Sequence, residues 1–158
     1  MDVRILDVEP SMIPRIAELE RRCFSLPWTQ EQLRAQLREA QHEFLAAIEP
    51  EGEGLGYVGM LFVLDEGYIS NVAVEPDCRR RGVGDALIDA LEARCRLHAL
   101  SFATLEVREG NLPARALYEK HGFEIVGRRK DYYERPKVDA ILMTKFWNRG
   151  TGFEDTGI

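Results

Sequence analysis

No run of this sequence approaches the roughly 18 consecutive apolar residues that a membrane-spanning helix needs, so no membrane partner is expected. The N-terminal MDVRILDVEP lacks the basic-then-apolar order of a secretory signal, which makes the cytoplasm the expected location. Cysteine is scarce: Cys23, Cys78 and Cys95 are odd in number, far apart and without CxxC or zinc spacing, so reduced thiols are expected. His42, His98 and His121 also lack metal-ligand spacing, and no metal is expected. Excess positive charge is missing as well. The net charge of −6 opposes a general nucleic-acid binder, which needs a basic face for phosphate. That balance is compatible with a basic protein or peptide as substrate. Neither an internal repeat nor a second domain is visible. A single domain over residues 1–148 and a frayed tail over 149–158 are the expectation.

What the chain does contain is enough for a real core: 158 residues, 45% hydrophobic and 30% charged. Val3–Val8 alternates as a strand. Ser11–Phe24 carries Met12, Ile13, Ile16, Leu19 and Cys23 as a helical stripe, with Pro14 tolerable in its first turn. Ser25-Leu26-Pro27-Trp28 interrupts, and its pattern alone favours a packing corner over a substrate mouth. Thr29 and Gln32 form a capping box that starts a helix to about Ala40. Strands are expected at Glu43–Ile48 and Leu55–Leu64, with turns at Glu49–Gly54 and Asp65-Glu66-Gly67. Another strand ends at Val74, a helix runs to about Leu100, and Phe102–Val107 is a strand. A short helix spans Leu112–His121 with Gly122 as its left-handed cap. Phe123–Gly127 and Val138–Phe146 are the last strands, joined by RRKDYYERPK. The order β-α-α-β-β-β-α-β-α-β-β predicts an α/β fold with a mixed sheet of about seven strands.

One stretch organises the rest, Tyr68–Leu91, YISNVAVEPDCRRRGVGDALIDAL. A strand ends at Glu75-Pro76, a basic turn with two glycines follows, and a helix begins at once. A helix N-terminus presents N–H groups and positive dipole, and glycine lets a phosphate approach the backbone. A diphosphate-binding turn is the physical reading. A Rossmann fingerprint fails because Leu87 stands where its third glycine belongs, and a Walker A loop fails for want of Gly-Lys-Ser/Thr. A solvated turn of three arginines is the bland alternative.

Two spaced motifs turn the balance. Arg79 to Gly84 fits Arg/Gln-x-x-Gly-x-Gly/Ala, and Asn111-x-x-Ala114-x-x-Leu117-Tyr118-x-x-x-Gly122-Phe123 follows. Together with the element order, they resemble the GNAT superfamily of acyl-CoA N-acyltransferases over nearly the whole chain before Arg149. Pro27-Trp28, Asn71–Val74, Leu105–Arg108, Ala116–Phe123, RRKDYY and Asp139-Ala140 resemble its RimI-type group, ribosomal-protein alanine N-acetyltransferases. The resemblance implies a GNAT fold, acetyl-CoA as cosubstrate without a metal, and a protein N-terminus as acceptor, an alanine of a small-subunit ribosomal protein. A lysine or small-molecule amine acetyltransferase is the alternative within that chemistry. A non-catalytic acyl-CoA-binding module is the alternative outside it.

The same resemblance assigns roles. Backbone N–H groups from Arg80 through Gly82, Val83 and Gly84 to Asp85 would hold the diphosphate, with Arg79, Arg80 and Arg81 adding charge. Val72, Ala73 and Val74 would pair with the pantetheine arm as an added strand does, and an N–H there would polarise the thioester carbonyl, a contribution of about 3 kcal/mol. Glu106 is the implied base. An α-amine, with pKa about 7.7–8.0 against about 10.4 for lysine, is already partly neutral. Tyr118 is the implied acid for the thiolate, although its spacing alone reads as a buried-face tyrosine. Asn111 is an N-cap that also meets the cofactor. Leu26, Trp28, Tyr132 and Tyr133 are the implied acceptor contacts. Glu39, Glu43 and Glu134 are candidates for a basic second residue of the acceptor.

Overall fold

The structure, a computed structural model, describes residues 3–52, 54–134 and 136–147. Strand β1 (Arg4–Asp7) leads through a 3-10 turn (Pro10–Met12) into helix α1 (Ile13–Cys23). That helix buries Ile13, Ile16, Ala17, Leu19 and Glu20, the rows that one helical face presents. The next, α2 (Gln30–Arg38), starts where expected. Gln32 N–H donates to the Thr29 hydroxyl (3.1 Å) and Thr29 N–H to the Gln32 side chain (2.9 Å).

There follow β2 (His42–Ile48), β3 (Gly54–Val63), β4 (Glu66–Val74), a 3-10 turn (Pro76–Cys78), α3 (Val83–Leu97), β5 (Phe102–Arg108), α4 (Leu112–Lys120), β6 (Glu124–Tyr133) and β7 (Val138–Phe146). The element order is the expected one. The strands form a seven-stranded sheet in the order β1-β2-β3-β4-β5-β7-β6. One pair is parallel: Glu66, Gly67 and Tyr68 of β4 lie beside Phe102, Ala103 and Thr104 of β5. The pairs β1–β2, β2–β3, β5–β7 and β6–β7 are antiparallel, so the sheet is mixed as expected. The expected tail, 149–158, lies outside the described residues. Among these residues no helix is long and apolar enough to cross a membrane.

The chain divides into two compact units. One runs to Leu61 and again from Ile69 to Arg94; the other comprises Phe62–Tyr68 and the chain from Cys95 onward. The first is built on Ile13, Ile16, Ala17, Leu33, Phe44 and Tyr57, with the Phe44 and Tyr57 rings 5.4 Å apart. Each fully buried side chain of this size contributes about 1.5–3 kcal/mol. Gly56 sits where β3 passes the end of β4. A Cβ there would lie 2.6 Å from the Ala73 carbonyl oxygen, so no larger residue fits without moving backbone. The second unit buries Ala103, Leu105 and Val107 of β5 with Ala140, Ile141 and Met143 of β7, capped by Tyr118 and Phe123.

Glu66 and Gly67, expected in a turn, instead open β4, and the largest boundary difference is in β6. Strand β6 does not stop at Gly127 but continues to Tyr133. Its register against β7 shifts between Arg129 and Tyr133, and Asp131 takes φ 53. An extra residue in one strand makes a bulge and re-aims the side chains beside it. The bulge is held from the neighbouring strand: Asp131 N–H donates to Asp139 Oδ1 (2.8 Å), and Arg128 pairs with Asp139 Oδ2 (2.8 Å). The Asp131 N–H, then Arg128, hold the Asp139 carboxyl below its ordinary value of 3.8.

Two outcomes are expected. Gly56→Ala lowers the unfolding free energy by about 1–3 kcal/mol, measured by urea titration, because the backbone it meets cannot rotate away. Asp139 has a depressed pKa, so its stabilisation is present above the ordinary value and lost as pH falls through the lowered one. The gap in urea midpoint between wild type and Asp139→Ala should therefore be open at about pH 7 and closed near pH 2.

Candidate active site

In the first unit, the turn after Pro76–Cys78 reaches α3 through Arg80 (φ 65) and Gly82 (φ 83), both left-handed. Arg80 bears the strain an L side chain meets there, whereas Gly82 does not, and a Cβ on Gly82 would face open space. Ala86 N–H donates to the Gly82 carbonyl (3.0 Å), which makes the turn continuous with the first turn of α3. The N–H groups of Val83 and Gly84 therefore lie at the open end of a fifteen-residue helix. This is the geometry a diphosphate needs.

The three arginines are not equivalent. All are exposed, but Arg79 folds back: its Nε donates to the Val74 carbonyl (3.3 Å) and an NH2 to Cys23 Sγ (3.5 Å). Cys23 Sγ also donates to Val74 O (3.4 Å). Burial pushes the Cys23 thiol up, more than Arg79 pulls it down. Within 72–74, Ala73 is buried against the core while Val72 and Val74 are half-buried.

The Leu26–Trp28 loop splits in two. Leu26 is 51% exposed, whereas Trp28 packs on the core of its unit, as the packing reading has it. Its backbone N–H donates to Glu20 Oε1 (2.9 Å). Glu20 is fully buried, and its Oε2 accepts from the Tyr57 hydroxyl and from Asn71 Nδ2 (2.9 Å). Burial pushes the Glu20 carboxyl up, and the Trp28 and Tyr57 bonds pull it part of the way back. Glu43 is also buried, and Arg94 pairs with it (2.6 Å) as well as with Asp7 (2.9 Å), so its charge is met inside this unit rather than offered to an acceptor.

In the second unit Glu106 lies on β5 with its side chain 31% exposed. Arg129 Nε is 2.7 Å from its Oε2, and the Tyr132 hydroxyl donates to its Oε1 (3.3 Å). The bulge in β6 brings Arg129 and Tyr132 to the same carboxylate. Tyr132 and Tyr133 meet edge to face at 5.1 Å, and the Arg108 guanidinium covers the Tyr133 ring at 4.5 Å. Burial, followed by Glu106 and Tyr132, pushes the Tyr133 phenol up to about 12. Tyr118, on α4, is 6% exposed, and burial followed by Tyr133 raises its phenol too, so it stays protonated at neutral pH. Asn111 caps α4, accepting from Ala114 N–H (3.2 Å).

The structure thus joins Glu106 to Tyr132 in one unit, and the Trp28 backbone to Asn71 in the other. Sequence reading missed both mediators. Glu20 occupies a stripe position seven residues after Ile13 and four after Ile16, the one signal that marks it. Arg129 stands in the RRKDYY motif, but nothing in the motif singles it out as the partner of Glu106. Among the described residues no group of three or more His, Cys, Asp or Glu is placed to hold a metal ion.

Comparison with known proteins adds independent information. Residues 13–123 match the model of the acetyltransferase (GNAT) family. The chain is 31% identical over 141 residues to the ribosomal protein bS18-alanine N-acetyltransferase of Escherichia coli, covering 88% of this chain and 94% of that one. It is 33% identical over 142 residues to the enzyme of that name from Haemophilus influenzae, covering 88% and 95%. The crystal structure of the Escherichia coli enzyme superposes with a TM-score of 0.85 at 28% identity, over 92% of this chain and 94% of that one. Ard1 from Thermoplasma volcanium superposes equally well, TM-score 0.85 at 27% identity, over 92% and 98%. The match spans both the Arg79–Gly84 turn and the helix that carries Tyr118, and on that ground the chain belongs to the GNAT acetyltransferase family.

Proposed function

We propose that this enzyme transfers an acetyl group from acetyl-CoA to the N-terminal α-amine of a protein, an alanine of the ribosomal protein bS18 or its equivalent. The observation that carries the acceptor is the name shared by relatives at 31% and 33% identity across 88% of the chain. An acceptor on a ribosomal protein fits a cytoplasmic enzyme, and the net charge of −6 fits a basic protein better than nucleic acid. On this reading residues 1–148 act as one catalytic domain.

Acetyl-CoA supplies the activated acyl group. The turn from Arg80 to Asp85 would hold its diphosphate through backbone N–H groups, with Arg81 adding charge. Arg79, tied to Val74, would brace the turn on the strand instead. The half-buried Val72 and Val74 would flank the pantetheine arm. In the reaction the amine nitrogen bonds to the acyl carbon, the carbon–sulfur bond breaks, and the ammonium proton leaves to Glu106. Glu106 suits a base: Arg129 Nε lies 2.7 Å from its Oε2, and among the described residues its Oε1 has only the long Tyr132 bond. Tyr118 would donate to the departing sulfur, keeping its proton until charge builds there. Tyr132 and Tyr133 would contact the acceptor's first peptide unit, and Leu26 and Trp28 are further proposed acceptor contacts.

Wild-type enzyme with acetyl-CoA is expected to release thiol with a hexapeptide bearing a free N-terminal alanine. It should release none with an N-blocked peptide carrying an internal lysine. Release with the blocked peptide alone would sink the α-amine assignment, and no release with any amine would leave a binding module. Glu106→Gln should cut kcat by about 10²-fold or more with little change in Tm. Tyr118→Phe should lower kcat while leaving the Kd for acetyl-CoA near wild type; normal turnover with a lowered Tm would mark Tyr118 as packing only.

A further inference from the structure

Glu20 is a titratable group that the transfer chemistry does not use, placed in an apolar core cluster with no exposure at all. A carboxylate there has acceptor capacity and nothing else, so its surroundings have to be donors. Three meet it, and they come from three different segments: the Trp28 N–H at the end of the α1–α2 loop, the Tyr57 hydroxyl on β3, and Asn71 Nδ2 on β4. Of these, Tyr57 belongs to the core. The other two belong to the loop that carries the exposed Leu26 and to the strand that continues into Val72–Val74. The carboxylate is therefore the atom pair through which that loop and that strand are fixed to each other.

The apolar alternative explains less. A leucine or methionine at this helical position would extend the stripe of Ile13 and Ile16, and buried ionic groups are often no better for stability than apolar ones of similar volume. Within α1 itself nothing calls for a carboxylate. All three partners lie outside it, and two of them are a loop backbone and an amide on the substrate-bearing strand.

We propose that Glu20 is a positioning residue for acceptor recognition: its carboxylate clamps the Leu26–Trp28 loop to Asn71 and so fixes Leu26 where the acceptor's N-terminal residues bind. This rests on the reading of that loop as an acceptor contact. Loss of the clamp loosens the loop without touching Glu106 or Tyr118, so it acts on acceptor KM rather than on kcat.

The test uses full-length protein carrying Trp147→Phe, which leaves Trp28 the single tryptophan. Glu20→Met removes the acceptor oxygens at similar length. Glu20→Gln keeps one oxygen and puts an amide nitrogen, which cannot accept, in place of the other. Tyr57→Phe removes the core donor alone. Two quantities are read: acrylamide quenching of Trp28 fluorescence, and steady-state kinetics with the free-alanine hexapeptide and acetyl-CoA. Glu20→Met is expected to raise quenching and to raise the peptide KM about tenfold, with kcat and the acetyl-CoA KM within about twofold. Glu20→Gln should fall between, near threefold, and carries the test by itself where Glu20→Met does not fold. Tyr57→Phe should lower Tm and move neither quantity. Unchanged quenching in both Glu20 variants overturns the clamp. Raised quenching with an unchanged peptide KM overturns its role in recognition. If wild type acetylates no peptide while quenching still rises in the variants, the clamp stands, its role in recognition falls, and the acceptor reading fails on its own.

Discussion

A carboxylate with no access to water has to be met by donors, and in this chain that requirement knits one unit together. Glu20 draws a backbone N–H from Trp28, a hydroxyl from Tyr57 and an amide from Asn71. Each donor is itself held: Trp28 by packing on the core, Tyr57 by complete burial beside Phe44, Asn71 by the strand that continues to Val74. Removing the acceptor would strand three polar groups in or near an apolar core, at about 1–3 kcal/mol for each one left unsatisfied. The α1–α2 loop has no regular structure of its own to fix it. Its position is set from one end by the Thr29–Gln32 box and from inside by Glu20.

The second unit meets the opposite demand. A carboxylate proposed as a base, as Glu106 is here, has to be fixed in place yet keep an acceptor lone pair for the incoming proton. Here the fixing is done by an exposed edge strand with a bulge in it. Asp139 on β7 holds the bulge at Asp131, and the bulge aims Arg129 and Tyr132 at Glu106. The device is electrostatic and lies near water, so it is open to salt and pH in a way that the Glu20 network is not.

What was legible in the sequence was local. The Thr29–Gln32 box, the Asn111 cap, the left-handed Gly122 and the glycines between Arg79 and Asp85 depend on residues within a few positions of each other, and spacing reveals them. The element order followed from the same kind of signal. Long-range partners were not legible. The bulge at Asp131 needs Asp139 on another strand, so β6 read as ending at Gly127 and Tyr132 read as loop. Nothing near Arg79 in sequence announces its contact with Cys23, 56 residues away. Glu20 was passed over because a stripe is recognised by its apolar members, and the donors that make a carboxylate tolerable there lie 8, 37 and 51 residues away.

The contrast between the two glutamates also supports the proposal of Glu106 as base. Both carry the same group, and Glu20 stands as close to a loop read as an acceptor contact as Glu106 stands to Tyr132. A carboxylate offers about four lone-pair sites. At Glu20 three donors take three of them in a site without exposure, and neither the Trp28 N–H nor the Asn71 amide hydrogen can yield its place to a proton without being left unbonded. At Glu106 one oxygen faces Arg129 and, among the described residues, the other has only the 3.3 Å Tyr132 bond, on a side chain that water reaches. A proton can arrive at that oxygen and leave again while the guanidinium keeps the group in position. Exchange of that kind suits Glu106 better than Glu20, so the proposal of Glu106 as base rests on the surroundings of its oxygens rather than on the chemistry of the side chain.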